Sequence, residues 1–263
     1  MNQYAVITGA SKGIGLEMSK LLAKKNYHLL LVARKLSELE DVKKQIQSVY
    51  PVDVHCISLD LSQHNSAQQI LTYVHQHHLN VHILINNAGG GSYGYFDQLD
   101  IEAQQRMIQL NIGSLVELCH SFIAVFKEKK EKTYILNVGS TTAFQSIPTF
   151  AVYAASKSFV HSFTRSLRHE LQKYPSISIS LLSPGATRTN FIRNAQLEHI
   201  EATADKFSMD ANVVTQIGID GMFAEKREII PGLLNKLNVF ATRIVPRRLI
   251  ERAAFNLYNK KEK

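Results

Sequence analysis

Short, almost unbroken apolar runs alternate with longer amphipathic stretches, and this alternation constrains the chain more than any other feature. The runs fall at residues 4–8, 28–33, 52–58, 81–85, 133–138, 176–182 and 228–230. One of them reads His-Leu-Leu-Leu-Val-Ala over 28–33, with no polar residue on alternate positions. A strand of that kind must be covered on both faces, which is the situation of a parallel sheet. Between the runs lie segments of helical period, at about 13–25, 37–49, 62–77, 101–127, 152–174 and 210–226. Strict β-α-β alternation requires right-handed crossovers, so helices cover both sides of the sheet. The expected fold is α/β: a doubly wound parallel sheet of about seven strands.

Nothing in the 263 residues separates one part from another: there is no Pro/Gly/Ser-rich linker and no repeat. One domain over 1–263 is expected, with an insertion at about 188–227 and a C-terminal extension at about 233–263. Insertions beyond the carboxyl ends of such strands are where substrate pockets form. The formal net charge is +8. Its Lys and Arg residues are scattered rather than gathered into an arm, which argues against nucleic-acid binding. Two widely spaced cysteines, Cys56 and Cys119, make neither a disulfide framework nor a zinc site. No charged leader with a long apolar run precedes the first strand, and no uncharged stretch approaches the ~20 apolar residues of a membrane span. A cytoplasmic location is the expectation.

Between the first strand and the first helix runs Thr8-Gly-Ala-Ser-Lys-Gly-Ile-Gly15. Glycines at 9, 13 and 15 let backbone approach a pyrophosphate, and the following helix N-terminus offers unpaired N–H groups and partial positive charge. No Gly-Lys-Ser/Thr follows in the register of a nucleotide-triphosphate loop. The second strand ends Val32-Ala33-Arg34-Lys35. A carboxylate there would bind the ribose hydroxyls of NAD. Arg34 suits a 2′-phosphate instead, and Lys12 in the glycine turn is placed to reach the same group. NADP(H) is therefore the expected cofactor.

Tyr153-Ala-Ala-Ser-Lys157 opens a helix, and a spacing of four puts Tyr153 and Lys157 on one face. A phenol of pKa ~10 is a poor acid–base catalyst near neutrality unless a neighbouring ammonium lowers it. That is the expectation for Tyr153, with Lys157 also placed to hold the cofactor ribose. Ser140, at the end of the fifth apolar run, can position a substrate oxygen for Tyr153. Asn86-Asn-Ala-Gly89 ends the fourth run, where it can line a cofactor's path or simply cap a turn. Asn111 lies inside the helical stretch 101–127, a position Asn disfavours. A kink or a held water would account for it.

Taken together these residues resemble the short-chain dehydrogenase/reductase family over about residues 4–189, in order and in spacing. The resemblance implies a Rossmann-type sheet and a catalytic tetrad of Asn111, Ser140, Tyr153 and Lys157, in which the tyrosine protonates the carbonyl, the serine orients it, and asparagine with lysine and water relays protons. It implies cofactor contacts from Gly9, Ser11, Lys12, Gly13, Ile14 and Gly15, from Arg34, and from Asp60 and Leu61 at the adenine. It also implies contacts from Asn87, Ala88 and Gly89, from Tyr153 and Lys157, and from Pro184, Gly185, Thr187 and Thr189 at the nicotinamide end. A homodimer or homotetramer through the long helices is implied as well. The tail looks like that of NADP-dependent reductases related to 3-oxoacyl and steroid reductases.

The expected activity is interconversion of a carbonyl and an alcohol on a small molecule. The alternative is an NADP(H) sensor without turnover. No metal is needed: His75, His77, His78 and His82 cluster in sequence, but no carboxylate or thiolate completes a ligand set. The stretch 233–258 mixes Leu, Val, Phe and Ile with Arg243, Arg247, Arg248 and Arg252. It reads as local packing near the pocket, with a subunit contact or a peripheral membrane-surface element as the alternatives.

Overall fold

The structure, a computed structural model, describes residues 3–189, 191, 195, 205 and 207–258. Its main sheet has seven parallel strands in the order β3-β2-β1-β4-β5-β6-β9. These are β1 (Tyr4–Thr8), β2 (His28–Ala33), β3 (Val54–Ser58), β4 (Val81–Asn86), β5 (Thr133–Val138), β6 (Ile177–Leu182) and β9 (Glu228–Ile229). A second, two-stranded parallel pair joins β7 (Thr187–Arg188) to β8 (Met209–Asp210). The order reverses direction at β1, where chain connections leave to opposite sides and a crevice opens between β1 and β4.

The apolar runs behave as two-sided strands. Val6, Leu30, Leu84 and Ile135 face one layer, against α3 (Ser66–Gln76), α5 (Ser114–Lys127) and α6 (Ala151–Glu170). Their neighbours Ile7, Leu31, Ile85 and Leu136 face the other layer. There α1 (Gly13–Lys24), α2 (Leu36–Gln47) and α7 (Ala211–Phe223) supply Met18, Leu22, Val42, Ile219 and Met222. α5 with α4 (Ile101–Ile108) makes a continuous helical stretch apolar enough to cross a membrane by length and composition. Leu118, Cys119, Phe122 and Phe126 of that stretch are instead packed in the core.

Several element boundaries differ from the sequence reading. β3 starts at Val54, because Val52 N–H donates to Tyr50 O at 2.8 Å and turns the chain before it. The helix expected from 62 begins at Ser66. Asp60 Oδ1 accepts from Ser62 N and Oγ at 2.9 and 2.8 Å, and Asn65 sits at φ +62° in the left-handed region. The stretch 101–127 is interrupted by a π-helical turn, Gln109–Gly113, centred on Asn111. Two helices follow the sheet, α8 (Leu233–Ala241) and α9 (Arg247–Tyr258). Most of the expected insertion between 188 and 207 lies outside the described residues.

Candidate functional site

The site lies at the carboxyl ends of β1, β4, β5 and β6, where their loops converge. The glycine turn is the first part. Gly9 and Gly13 sit at φ +65° and +56°, which favours glycine. Gly15 has no room for a side chain, since a Cβ there would lie 2.2 Å from Gly9 O and 2.6 Å from Asn87 Nδ2. A Cβ on Gly13 would press on Thr189 Cγ2 at 3.0 Å, so the loop after β6 closes against the turn. The helix that follows has no side-chain cap and no acidic residue in its first turn. Its N-terminal charge is left for an anion. Ser11 and Ile14 complete this turn; Ser11, with Lys12, leans toward Glu38.

Thr8 and Asn87 hold the turn in place. Thr8 Oγ1 accepts from Asn87 N and Ala88 N, both at 3.0 Å, and donates to Ile85 O at 3.2 Å. Asn87 Nδ2 donates to Thr8 O at 2.9 Å and to Gly9 O at 3.2 Å. The Asn87 side chain is thus spent on bracing the crevice. Substituting Gly15→Ala is expected to break this arrangement, because the clash is with backbone and cannot be relieved by a rotamer. Overpacking of this kind costs ~1–3 kcal/mol or more. Urea denaturation with and without dinucleotide should show lower stability and at least a tenfold weaker cofactor complex.

A cavity of about 320 Å³ lies between the residues after β2 and β3, the loop after β4 and α4, lined by Arg34, Asp60, Ser62 and Gly90 among others. Among the described residues, Arg34 makes no ion pair and is exposed. Lys12 differs: its Nζ is 2.8 Å from Glu38 Oε1, and this contact holds the Glu38 carboxyl below the usual carboxylate range. Leu61 does not line the cavity. Its side chain is buried in the core, so the residue beside Asp60 can offer a ligand only its backbone.

Asn111 sits in the π turn with every polar atom of its side chain engaged. Oδ1 accepts from Gly90 N at 2.9 Å, while Nδ2 donates to Gly90 O at 2.9 Å and to Ser156 Oγ at 3.0 Å. Ser156 Oγ in turn donates to Tyr153 O at 2.7 Å. The loop after β4 is thereby tied to the first turn of α6, which carries Tyr153 and Lys157. The sequence reading missed Ser156, since its partners lie 45 positions away or in its own helix. A Cβ on Gly89 would lie 3.2 Å from Asn111 Oδ1 and 3.4 Å from Lys157 Nζ. Gly89, Asn111 and Lys157 therefore share one corner.

Tyr153 and Lys157 are both buried, at 6% exposure each. The Tyr153 ring stacks on Phe150 at 4.3 Å and meets Phe191 at 5.3 Å. Tyr258, at the end of α9, also stacks on Phe150 at 6.2 Å, and its carbonyl accepts from Tyr93 OH at 2.7 Å. The expected acidic phenol is corrected here. Burial pushes the Tyr153 phenol well above its ordinary value, opposed only in part by the neighbouring Ser140 and Thr142 hydroxyls. Lys157 does not offset this, because its Nζ donates to Val138 O at 3.0 Å and burial itself lowers its pKa to about 8.

Ser140 Oγ accepts from Thr142 N at 3.1 Å and starts the short 3₁₀ turn Thr141–Phe144. Thr142 Oγ1 is buried, and among the described residues the Tyr153 phenol is the one polar group it meets. Pro184, Gly185 and Thr187 pass above β6. Pro184 O accepts from Thr141 N at 2.8 Å and Gly185 O from Thr187 Oγ1 at 3.0 Å. A Cβ on Gly185 would clash with Asn235 of α8 at 2.4 Å, so α8 packs against this loop.

The family profile described as short chain dehydrogenase matches residues 3–199. The chain belongs to that family. This short-chain dehydrogenase is 31% identical over 244 residues to 17-beta-hydroxysteroid dehydrogenase type 3 of Homo sapiens, covering 92% of the chain and 77% of the relative. A short-chain dehydrogenase from Sphingobium yanoikuyae solved in complex with NADPH is 26% identical, with a TM-score of 0.79 over 93% of this chain and 97% of that one. A structure reported for 7beta-hydroxysteroid dehydrogenase stereoselectivity superposes with a TM-score of 0.86 over 96% of both chains at 19% identity, a likeness of fold. As a short-chain dehydrogenase, the protein is an oxidoreductase that interconverts an alcohol and a carbonyl with a nicotinamide cofactor.

Proposed function

We propose that the protein is an NADP(H)-dependent reductase of a bulky, apolar ketone, with Tyr153 as the proton donor. The observation that carries this is the buried Tyr153 phenol beside the Ser140 and Thr142 hydroxyls, walled by Phe150, Phe191 and Tyr258. Bound dinucleotide supplies or accepts the hydride. The chain's own residues do the rest. The glycine turn from Gly9 to Gly15 receives the pyrophosphate at the N-terminus of α1. Asp60 and Ser62 face the adenosine cavity with Arg34. Ser140 and Thr142 orient the substrate oxygen, and Tyr153 donates its proton to it. Burial keeps that proton on the phenol until an oxyanion develops beside it. Lys157, near its own pKa of about 8, is placed to pass a proton inward. Asn111 fixes Gly90 and, through Ser156, the α6 turn that aims Tyr153.

NADP(H) preference rests on Arg34, an exposed and unpaired guanidinium at the rim of the 320 Å³ cavity, with no carboxylate at the end of β2. The NADPH complex of the Sphingobium relative supports it. Lys12 joins Arg34 only if a phosphate displaces Glu38. Arg34→Ala is expected to raise KM for NADPH ~10–100-fold, the loss of a charge-assisted phosphate contact, and to leave KM for NADH within threefold. Steady-state kinetics with both cofactors reads it directly.

A panel of steroid-like and aryl ketones with NADPH, followed by nicotinamide absorbance, tests the reading. Absence of turnover on every apolar ketone, with tight NADPH binding, would favour the sensor alternative. We read the chain as one catalytic domain working in the cytoplasm. Both cysteines are free, which suits a reducing compartment. A homodimer or homotetramer would use α4, α5 and α6, which expose Ile101, Ile108 and Phe159; light scattering gives the number.

A further inference from the structure

The segment after β9 carries apolar surface that nothing in the described chain covers. In α8, Asn235 and Val239 point inward, Asn235 against Gly185 and Val239 at 4% exposure. Leu233, Leu237 and Phe240 repeat at i, i+4 and i+7, on the side of the helix opposite to them. Their exposures are 74%, 56% and 58%. Ile244 and Leu249, in and after the turn at Pro246, add 67% and 59%. Large apolar side chains presented together in this way mark an interaction surface rather than ordinary scatter.

The charges beside this stripe select the partner. From 233 to 258 the chain has five basic residues, Lys236, Arg243, Arg247, Arg248 and Arg252, against Glu251 alone. All five basic residues are exposed, and the whole protein carries +8. A second copy docking here about a twofold axis would set like charges against like. An anionic bilayer surface satisfies both features at once, since the stripe enters the acyl boundary and the basic groups meet the headgroups.

We propose that α8 and the start of α9 form a peripheral docking surface for anionic phospholipid membranes. The same pair of helices touches the site: α8 packs on Gly185, and α9 ends on Tyr258 over Phe150. Docking therefore sets the roof of the active site against the bilayer. The proposal stands on the surface itself and does not require the ketone-reductase reading.

Vesicle co-sedimentation of the full chain tests it, with phosphatidylcholine vesicles compared with vesicles containing phosphatidylserine, at low and high salt. Binding is expected to the anionic vesicles and to weaken with salt. Leu237→Glu with Phe240→Glu should lower partitioning at least tenfold. Arg247→Gln with Arg248→Gln should lower it about 25-fold, on the order of fivefold for each charge. Circular dichroism and NADPH binding of both variants report that the fold is kept. Failure of the parent to bind anionic vesicles overturns the proposal, as does equal binding by the folded variants. So does an oligomer in solution that Leu237→Glu with Phe240→Glu dissolves, which would assign the stripe to a second copy.

Discussion

Tyr153→Phe is expected to lower kcat/KM by about 10³-fold while leaving dinucleotide affinity within threefold, because it removes only the hydroxyl that moves the proton. Positioned acid–base groups contribute ~10²–10⁴-fold, and nothing else in the pocket replaces this one. Ser140 and Thr142 are alcohols too weakly acidic to substitute. The phenylalanine ring fits the same space, stacked on Phe150 at 4.3 Å and against Phe191, so the substitution opens no cavity. The glycine turn and Arg34 are untouched, which is why binding and turnover separate. Fluorescence titration with NADPH beside turnover of the best ketone makes the comparison. Turnover kept within tenfold of the parent would remove Tyr153 from the chemistry and leave Ser140 or Thr142 to be tested in its place.

Much of this site is written in short-range spacing, and that is why it was legible. The glycines at 9, 13 and 15 lie between one strand and one helix, so their geometry follows from local conformation. Tyr153 and Lys157 share a face because a helix repeats every 3.6 residues. The apolar runs 28–33 and 133–138 appear as β2 and β5 with the expected bounds. Legibility ended where partners are distant in sequence. Thr8 holds Asn87 from 79 positions away, and Asn111 reaches Ser156 from 45. Asn111 itself was visible as a residue out of place in a helix. The π turn supplies the reason, since it swings the side chain onto Gly90. The acidity of Tyr153 was misjudged because spacing says which groups are near but not how dry they are. Burial is a tertiary property, and it moves the phenol up and the ammonium down.

That depth of burial has a consequence for stability as well as for catalysis. Lys157→Met is expected to abolish turnover and yet stabilise the cofactor-free protein at pH 7. The sign follows from the pKa. Folding lowers Lys157 from its ordinary value of 10.5 to about 8, so between those values the unfolded chain binds the proton and the native one does not. Stability therefore rises as pH climbs from about 8 towards 10.5, and the penalty of the buried ammonium is present in full below 8. A shift of this size is worth about 3 kcal/mol. Methionine has a similar stem and no charge, but it leaves Val138 O without the donor that now lies at 3.0 Å. Losing that hydrogen bond returns about 1–2 kcal/mol, so a net gain of about 1–2 kcal/mol remains at pH 7. Urea denaturation of both proteins at pH 7 and pH 10 isolates the effect, because all other titrating groups are shared. The advantage of the methionine variant should shrink or vanish at pH 10. A gap of equal size at both pH values would mean that Lys157 is not held against its charge, and that its lowered pKa plays no part in passing the proton to Tyr153. Loss of activity with a gain in stability is what a group kept for chemistry at the expense of the fold should show.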